Sequence, residues 1–112
     1  MRKLALLAVL GIFALPAFSA EQTFTNAPVV DSLCAKKVAA NPDAHTKECA
    51  MQCQGGGFGI VTQDQKFLKF DEAGNQKVLA EIKQSKKQDH LRVDVSGDVE
   101  GDTLKVKSIK LL

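Results

Sequence analysis

The segment Leu91-Arg92-Val93-Asp94-Val95-Ser96-Gly97-Asp98-Val99-Glu100-Gly101-Asp102-Thr103-Leu104-Lys105-Val106-Lys107-Ser108-Ile109-Lys110-Leu111 decides the fold. Leu91, Val93 and Val95 alternate with Arg92, Asp94 and Ser96, the period of two that marks a strand with one buried face. Glu100-Gly101-Asp102 supplies a turn, and beyond it Leu104 and Val106 alternate with lysines, so the segment reads as a hairpin. Near Ser108 the parity slips, because Ile109 and Leu111 fall on the set opposite to Leu104 and Val106. A bulge at that point restores the core face.

Outward from this hairpin the chain keeps alternating. Glu72 to about Lys86 reads as a helix with Val78, Leu79 and Ile82 on one side, and Gly74 places its start late. Phe58 to Thr62 and Lys66 to Phe70 form a second hairpin around Gln63-Asp64-Gln65. Asn41-Pro42 opens a helix that runs to about Cys53, since Asn suits an N-cap and Pro the first helical position. Gly55-Gly56-Gly57 stops it. Pro28 to Asp31 is a short strand after a polar lead-in, Glu21 to Ala27. About five short strands with two helices make a mainly β, α+β chain. The expectation is an OB-like five-stranded small barrel, ahead of a plain α+β sandwich.

The first residues set the compartment. Met1-Arg2-Lys3 is a positive start, Leu4 to Leu15 is apolar, Pro16 ends the run, and Ala17-Phe18-Ser19-Ala20 offers small residues for cleavage. This is the pattern of a secretory signal, and the apolar run falls short of the ~20 residues a bilayer span needs. Residues 1–19 are therefore expected to be a signal peptide, cleaved after Ser19 or Ala20, and residues 20–112 a single domain. The expected location is periplasmic or secreted, with no stable membrane association once the signal is gone.

Charge narrows the partners. The chain has 15 basic and 13 acidic residues, and loss of Arg2 and Lys3 with the signal leaves the two signs equal. A neutral chain has no field to gather nucleic acid or anionic lipid. Trp and Tyr are absent, and Phe24, Phe58, Phe67 and Phe70 alone remain as aromatics after residue 20. That is poor material for stacking bases, so no nucleic-acid partner is expected.

The chemistry sits in Cys34, His45, Cys49 and Cys53. Val29-Val30-Asp31-Ser32-x-Cys34, then His45-x-x-x-Cys49-Ala50-x-x-Cys53-x-Gly55-Gly56, resembles a pattern of small exported bacterial proteins with a Cys/His helix in an OB-like β-domain. The run from Val93 to Leu104 is similar to their closing hairpin. The resemblance implies a fold and a compartment rather than an activity.

Spacing defines what these side chains can do. On a helix, residues four apart are about 6 Å apart along the axis and share a face, so His45 with Cys49, or Cys49 with Cys53, can grip one ion. Cys49 belongs to both pairs. His45 and Cys53 are about 12 Å apart along a straight helix, so a four-ligand site needs one helix end to unwind. Cys34 can complete a set with two helical ligands, and thiolates with an imidazole favour Cu(I) or Zn(II). Met51 points away from this face into the core, and His90 reads as a surface residue.

The odd number of cysteines leaves a competing reading open. A disulfide from Cys34 to Cys53 or to Cys49 ties the early strand to the helix and leaves one spare thiol. That spare thiol would allow a disulfide-linked dimer or a bridge to a protein partner. Enzymatic readings find less support: a Cys/His dyad lacks an orienting group, Cys-x-x-x-Cys is not a thioredoxin motif, and the glycine run follows a helix rather than opening one. The expected function is a non-enzymatic binding protein that takes a soft transition metal, Cu(I) or Zn(II), through Cys34, His45, Cys49 and Cys53. The alternative is a disulfide-stabilised structural or interaction domain without metal.

Overall fold

A computed structural model describes residues 20–112, and the expected signal segment, residues 1–19, lies outside the described residues. Five strands form a closed barrel: β1 (Ala20–Asp31), β2 (Phe58–Val61), β3 (Phe67–Phe70), β4 (Arg92–Glu100) and β5 (Thr103–Leu111). Their order around the barrel is β1-β2-β3-β5-β4, with β4 returning to β1. All neighbours are antiparallel except β3 and β5, which run parallel through Lys69 opposite Thr103 and Phe70 opposite Leu104. This is the OB-like barrel that the closing hairpin and the short strands imply.

The first strand carries the closure, because it is shared. Ala20 to Pro28 pair with β4, while Val29, Val30 and Asp31 pair with Ile60, Gly59 and Phe58 of β2. The register shifts between Phe24 and Ala27, where Asn26 takes a left-handed φ of 55° and its N–H bonds Asp94 Oδ1 at 2.9 Å. This bulge turns the strand from one partner to the other. The polar stretch Glu21 to Ala27 is therefore strand and not a lead-in. Its polar side chains face solvent, which hides the pattern from a search for apolar alternation.

The second bulge lies where the parity slip places it. Ser96 pairs with Ser108 but Gly97 pairs with Val106, so Lys107 is the extra residue on β5. Gly97 answers this crowding: a Cβ there would run into the carbonyl of Lys105.

Three α-helices are present among the described residues rather than two: α1 (Ala35–Val38), α2 (Lys47–Gln52) and α3 (Glu72–Gln84). In α3 the buried residues Gly74, Val78 and Ile82 recur every four positions and face the barrel. Contrary to the late start that Gly74 suggests, α3 begins at Glu72, capped by the Asp71 side chain, which accepts from Gly74 N at 3.0 Å. Gly74 is there because a Cβ would collide with Val106 of β5. Close approach, not helix propensity, selects glycine.

The interior holds Val29, Phe58, Ile60, Phe70, Val93, Val95 and Leu104, with Val78 and Ile82 added by α3 and Ala50 by α2. Met51 packs against the same cluster, in line with a core role. A smaller cluster of Val30, Ala35 and Val61 forms where α1 covers the outer face of β1 and β2.

Because Gly97 and Gly55 differ in what surrounds them, they test the barrel geometry. Gly97→Ala should lower stability by about 1–3 kcal/mol through overpacking against β5. Gly55→Ala, with open space around it, should stay within about 0.5 kcal/mol of wild type. Urea unfolding of the two variants side by side measures the difference.

Candidate functional site

The long connection from β1 to β2 carries every group of the candidate site. Its first member is Asp31, the last residue of β1. Side chains two apart on a strand share a face, so Asp31 points to the same side as Val29, into the barrel end. It is completely buried. A buried carboxylate needs donors, and two reach it: Cys34 N–H donates to Oδ2 at 3.0 Å, and the Nε2 of His45 donates to Oδ1.

Glycine brings the two ends of the connection together. Ser32 N–H bonds the Gly57 carbonyl at 2.9 Å, and the Ser32 hydroxyl donates to the Gly56 carbonyl. A Cβ on Gly56 would lie 2.8 Å from the Leu33 side chain, and Gly57 has a φ of 83°. Bulkier residues would push the glycine turn off Ser32 and Leu33. Cys53, just ahead of this turn, is thereby carried next to Cys34, which precedes α1.

The helix expected from Asn41 to about Cys53 is not continuous. Pro42–Ala44 is a single 3-10 turn, His45 is extended (φ −78°, ψ 122°), and α2 starts only at Lys47. Thr46 caps α2 by accepting from Cys49 N–H at 3.2 Å, so the N-cap lies five residues beyond Asn41. Cys53 is the C-cap. His45, Cys49 and Cys53 therefore do not line one helical face: the four-residue spacing keeps its helical meaning for Cys49 and Cys53, whose backbones bond at 3.2 Å, and loses it for His45. What aims His45 is an anchor behind it: Arg92 of β4 holds Asp43 through Nε at 3.1 Å and Nη2 at 2.7 Å. The Arg92 guanidinium keeps the Asp43 carboxyl below the usual carboxylate range.

The four residues singled out by sequence end in three places. Cys34 and Cys53 come together with Asp31, and the ligand atoms of these three lie within 4.8 Å of one another. This is the group with metal-ligand spacing among the described residues. His45 stands behind Asp31, 3% exposed, hydrogen-bonded to the carboxylate and outside that group. Cys49 is exposed on α2 and joins neither. His90 is exposed, with Nδ1 3.0 Å from the Asp89 carboxylate, in keeping with a surface role.

Asp31 is the member that the cysteine and histidine spacing overlooks. The signal was a charged residue at the inward parity of Val29, where another apolar side chain belongs.

Electrostatics in the group are one-sided. Burial pushes the Cys34 thiol up from its ordinary pKa, and the neighbouring Asp31 carboxylate and Cys53 sulfur push it further. Two thiolates and a carboxylate at this separation repel one another unless protons or a cation intervene. Cys34 is thus poorly suited to act as a free nucleophile, which needs a depressed pKa. The arrangement can hold a cation through two sulfurs and one oxygen, or close a disulfide between the sulfurs.

Comparison with protein-family models, curated proteins and solved structures finds no match to this chain.

The three thiols should label in a fixed order in the reduced, metal-free protein. With iodoacetamide at pH 7.5, about one thiol per chain should react fast, at Cys49, and Cys34 should react last. A raised pKa means less thiolate at neutral pH, so the Cys34 rate should keep climbing above the pH where an ordinary thiol has titrated. Peptide mass mapping across a pH series reads both effects, and equal rates at Cys34 and Cys49 would contradict a raised Cys34 pKa.

Proposed function

We propose that this chain is a small exported protein that binds a soft transition metal, Zn(II) or Cu(I), with Cys34 and Cys53 as the sulfur ligands and Asp31 beside them. The observation that carries the reading is the convergence of the three ligand atoms within 4.8 Å. Ligand atoms around a tetrahedral zinc lie about 3.3–3.8 Å apart, so a small closing movement of partly exposed side chains suffices. The upward push on the Cys34 thiol, from burial first and then from Asp31 and Cys53, fits this use, because a bound cation offsets the charge that burial and repulsion disfavour. Cys49 contributes little on this reading, although the sequence spacing makes it the pivotal ligand.

The compartment rests on residues 1–19 and on the resemblance to exported Cys/His proteins. Among the described residues, no helix is long and apolar enough to cross a membrane.

A second reading is favoured by the same proximity of sulfurs. In an oxidising compartment Cys34 and Cys53 can form a disulfide, which closes a loop of about 20 residues and contributes about 3 kcal/mol on the chain-entropy model. The domain would then be a structural or interaction module with Cys49 as its spare thiol, free to bridge to a partner or to a second copy.

Intact-mass and metal analysis of the reduced protein decide between the two. About one Zn(II) or Cu(I) should bind per chain; Cys34→Ser and Cys53→Ser should each weaken binding by at least tenfold, and Cys49→Ser by less than threefold. A chain with one alkylation-resistant disulfide and no metal affinity after reduction overturns the metal reading in favour of the disulfide domain.

A further inference from the structure

One buried polar side chain lies beside the three-ligand group without joining it. His45 is almost wholly enclosed, and its Nδ1 has no hydrogen-bond partner among the described residues. Nε2 faces the carboxylate and donates to it, while Nδ1 faces no partner among the described residues. Leaving a buried polar atom unmet is unfavourable. The ring is nevertheless held in this orientation by the Arg92–Asp43 anchor on one side and the Thr46-capped helix on the other. Among the described residues, the one polar contact the ring makes is to Asp31.

We propose that His45 is a positioning residue which, by fixing the Asp31 carboxylate beside Cys34 and Cys53, sets the site for Zn(II) over Cu(I). The inference rests on the metal reading and goes beyond it by naming the metal and the residue that selects it.

Two thiolates alone suit the soft cation Cu(I), which gains little from a carboxylate oxygen. A carboxylate as third donor suits Zn(II), which accepts sulfur and oxygen together. Charge acts in the same direction. Two thiolates and a carboxylate carry three negative charges, so a monovalent ion leaves two uncompensated and a divalent ion leaves one. Asp31 has no solvent exposure, so the larger residual charge is the more costly. For the carboxylate to count, however, it must stay aimed at the sulfurs. Cys34 N–H holds Oδ2 and His45 holds Oδ1, so neither oxygen is free to rotate away. Removing such an outer partner of a ligand typically weakens metal binding by about 10–100-fold.

The test measures Zn(II) and Cu(I) affinities of the reduced full-length exported protein by competition with chelators, and reads their ratio. In His45→Leu, which fills the space but deletes the donor, Zn(II) affinity should fall about 10–100-fold, with Cu(I) affinity changing by less than threefold. His45→Gln, whose amide N–H can reach as Nε2 does, should recover most of the Zn(II) loss. Asp31→Asn should shift the ratio in the same direction as His45→Leu, and the double variant should lose little more than either single, because the two residues act in series. An equal fall for both metals, or no fall for either, overturns the role of His45 while leaving the metal reading intact. A wild-type chain that binds neither metal overturns the metal reading and this inference with it. If His45→Leu does not fold, His45→Asn, whose amide is too short to reach as Nε2 does, takes its place: a Zn(II)-selective loss supports the proposal and an unselective one ends it.

Discussion

A carboxylate with no exposure to water, at the inner end of the first strand, constrains much of what surrounds it. Asp31 occupies a position where the strand period calls for an apolar side chain, and a lone carboxylate there would be strongly destabilising. The connection that follows is arranged to meet that demand. It turns at once so that Cys34 N–H reaches back to Oδ2, and it later delivers the His45 ring to Oδ1. The ion pair of Asp43 with Arg92 then ties this turn to β4, the strand that pairs with β1. A polar residue at the barrel end thus organises a stretch built of short helical turns, none longer than six residues.

The barrel meets a separate demand, which is curvature. Nine-residue β4 and β5 and twelve-residue β1 are long for so small a barrel, and each must bend to close on its neighbours. Two bulges provide the bend, one near Asn26 and one at Lys107. Gly97 and Gly74 sit where backbone or helix comes too near β5 for a side chain. Curvature and close approach add their own limits to those that core packing already sets on substitution.

Much of the barrel was legible in the sequence, because Leu91 to Leu111 carries both its alternation and the slip that marks a bulge. The hairpin of β2 and β3 and the stripe of Val78 and Ile82 were equally plain. The first strand was legible only at its end, since Glu21 to Asn26 offers one large apolar residue, Phe24, and polar strands leave no periodic trace. The site was half legible. Its cysteines were visible, but their partners depended on where a helix begins, and Thr46 outcompetes Asn41 as the cap. A good capping residue followed by proline can start a 3-10 turn as well as an α-helix, and the difference here lies in the His45–Asp31 contact, which is remote in sequence. No local pattern encodes that contact.

The excursion that holds the site leaves the barrel at Asp31 and re-enters at Phe58, and these two residues face each other in the ladder between β1 and β2. The stem is therefore fastened before anything occupies the bight, and the entropy of bringing its ends together is met by strand pairing. An occupant needs only to settle a few rotamers. The bight is also pinned from its middle, because Ala50 and Met51 pack into the barrel interior, so its exposed side chains alone stand clear of the wall.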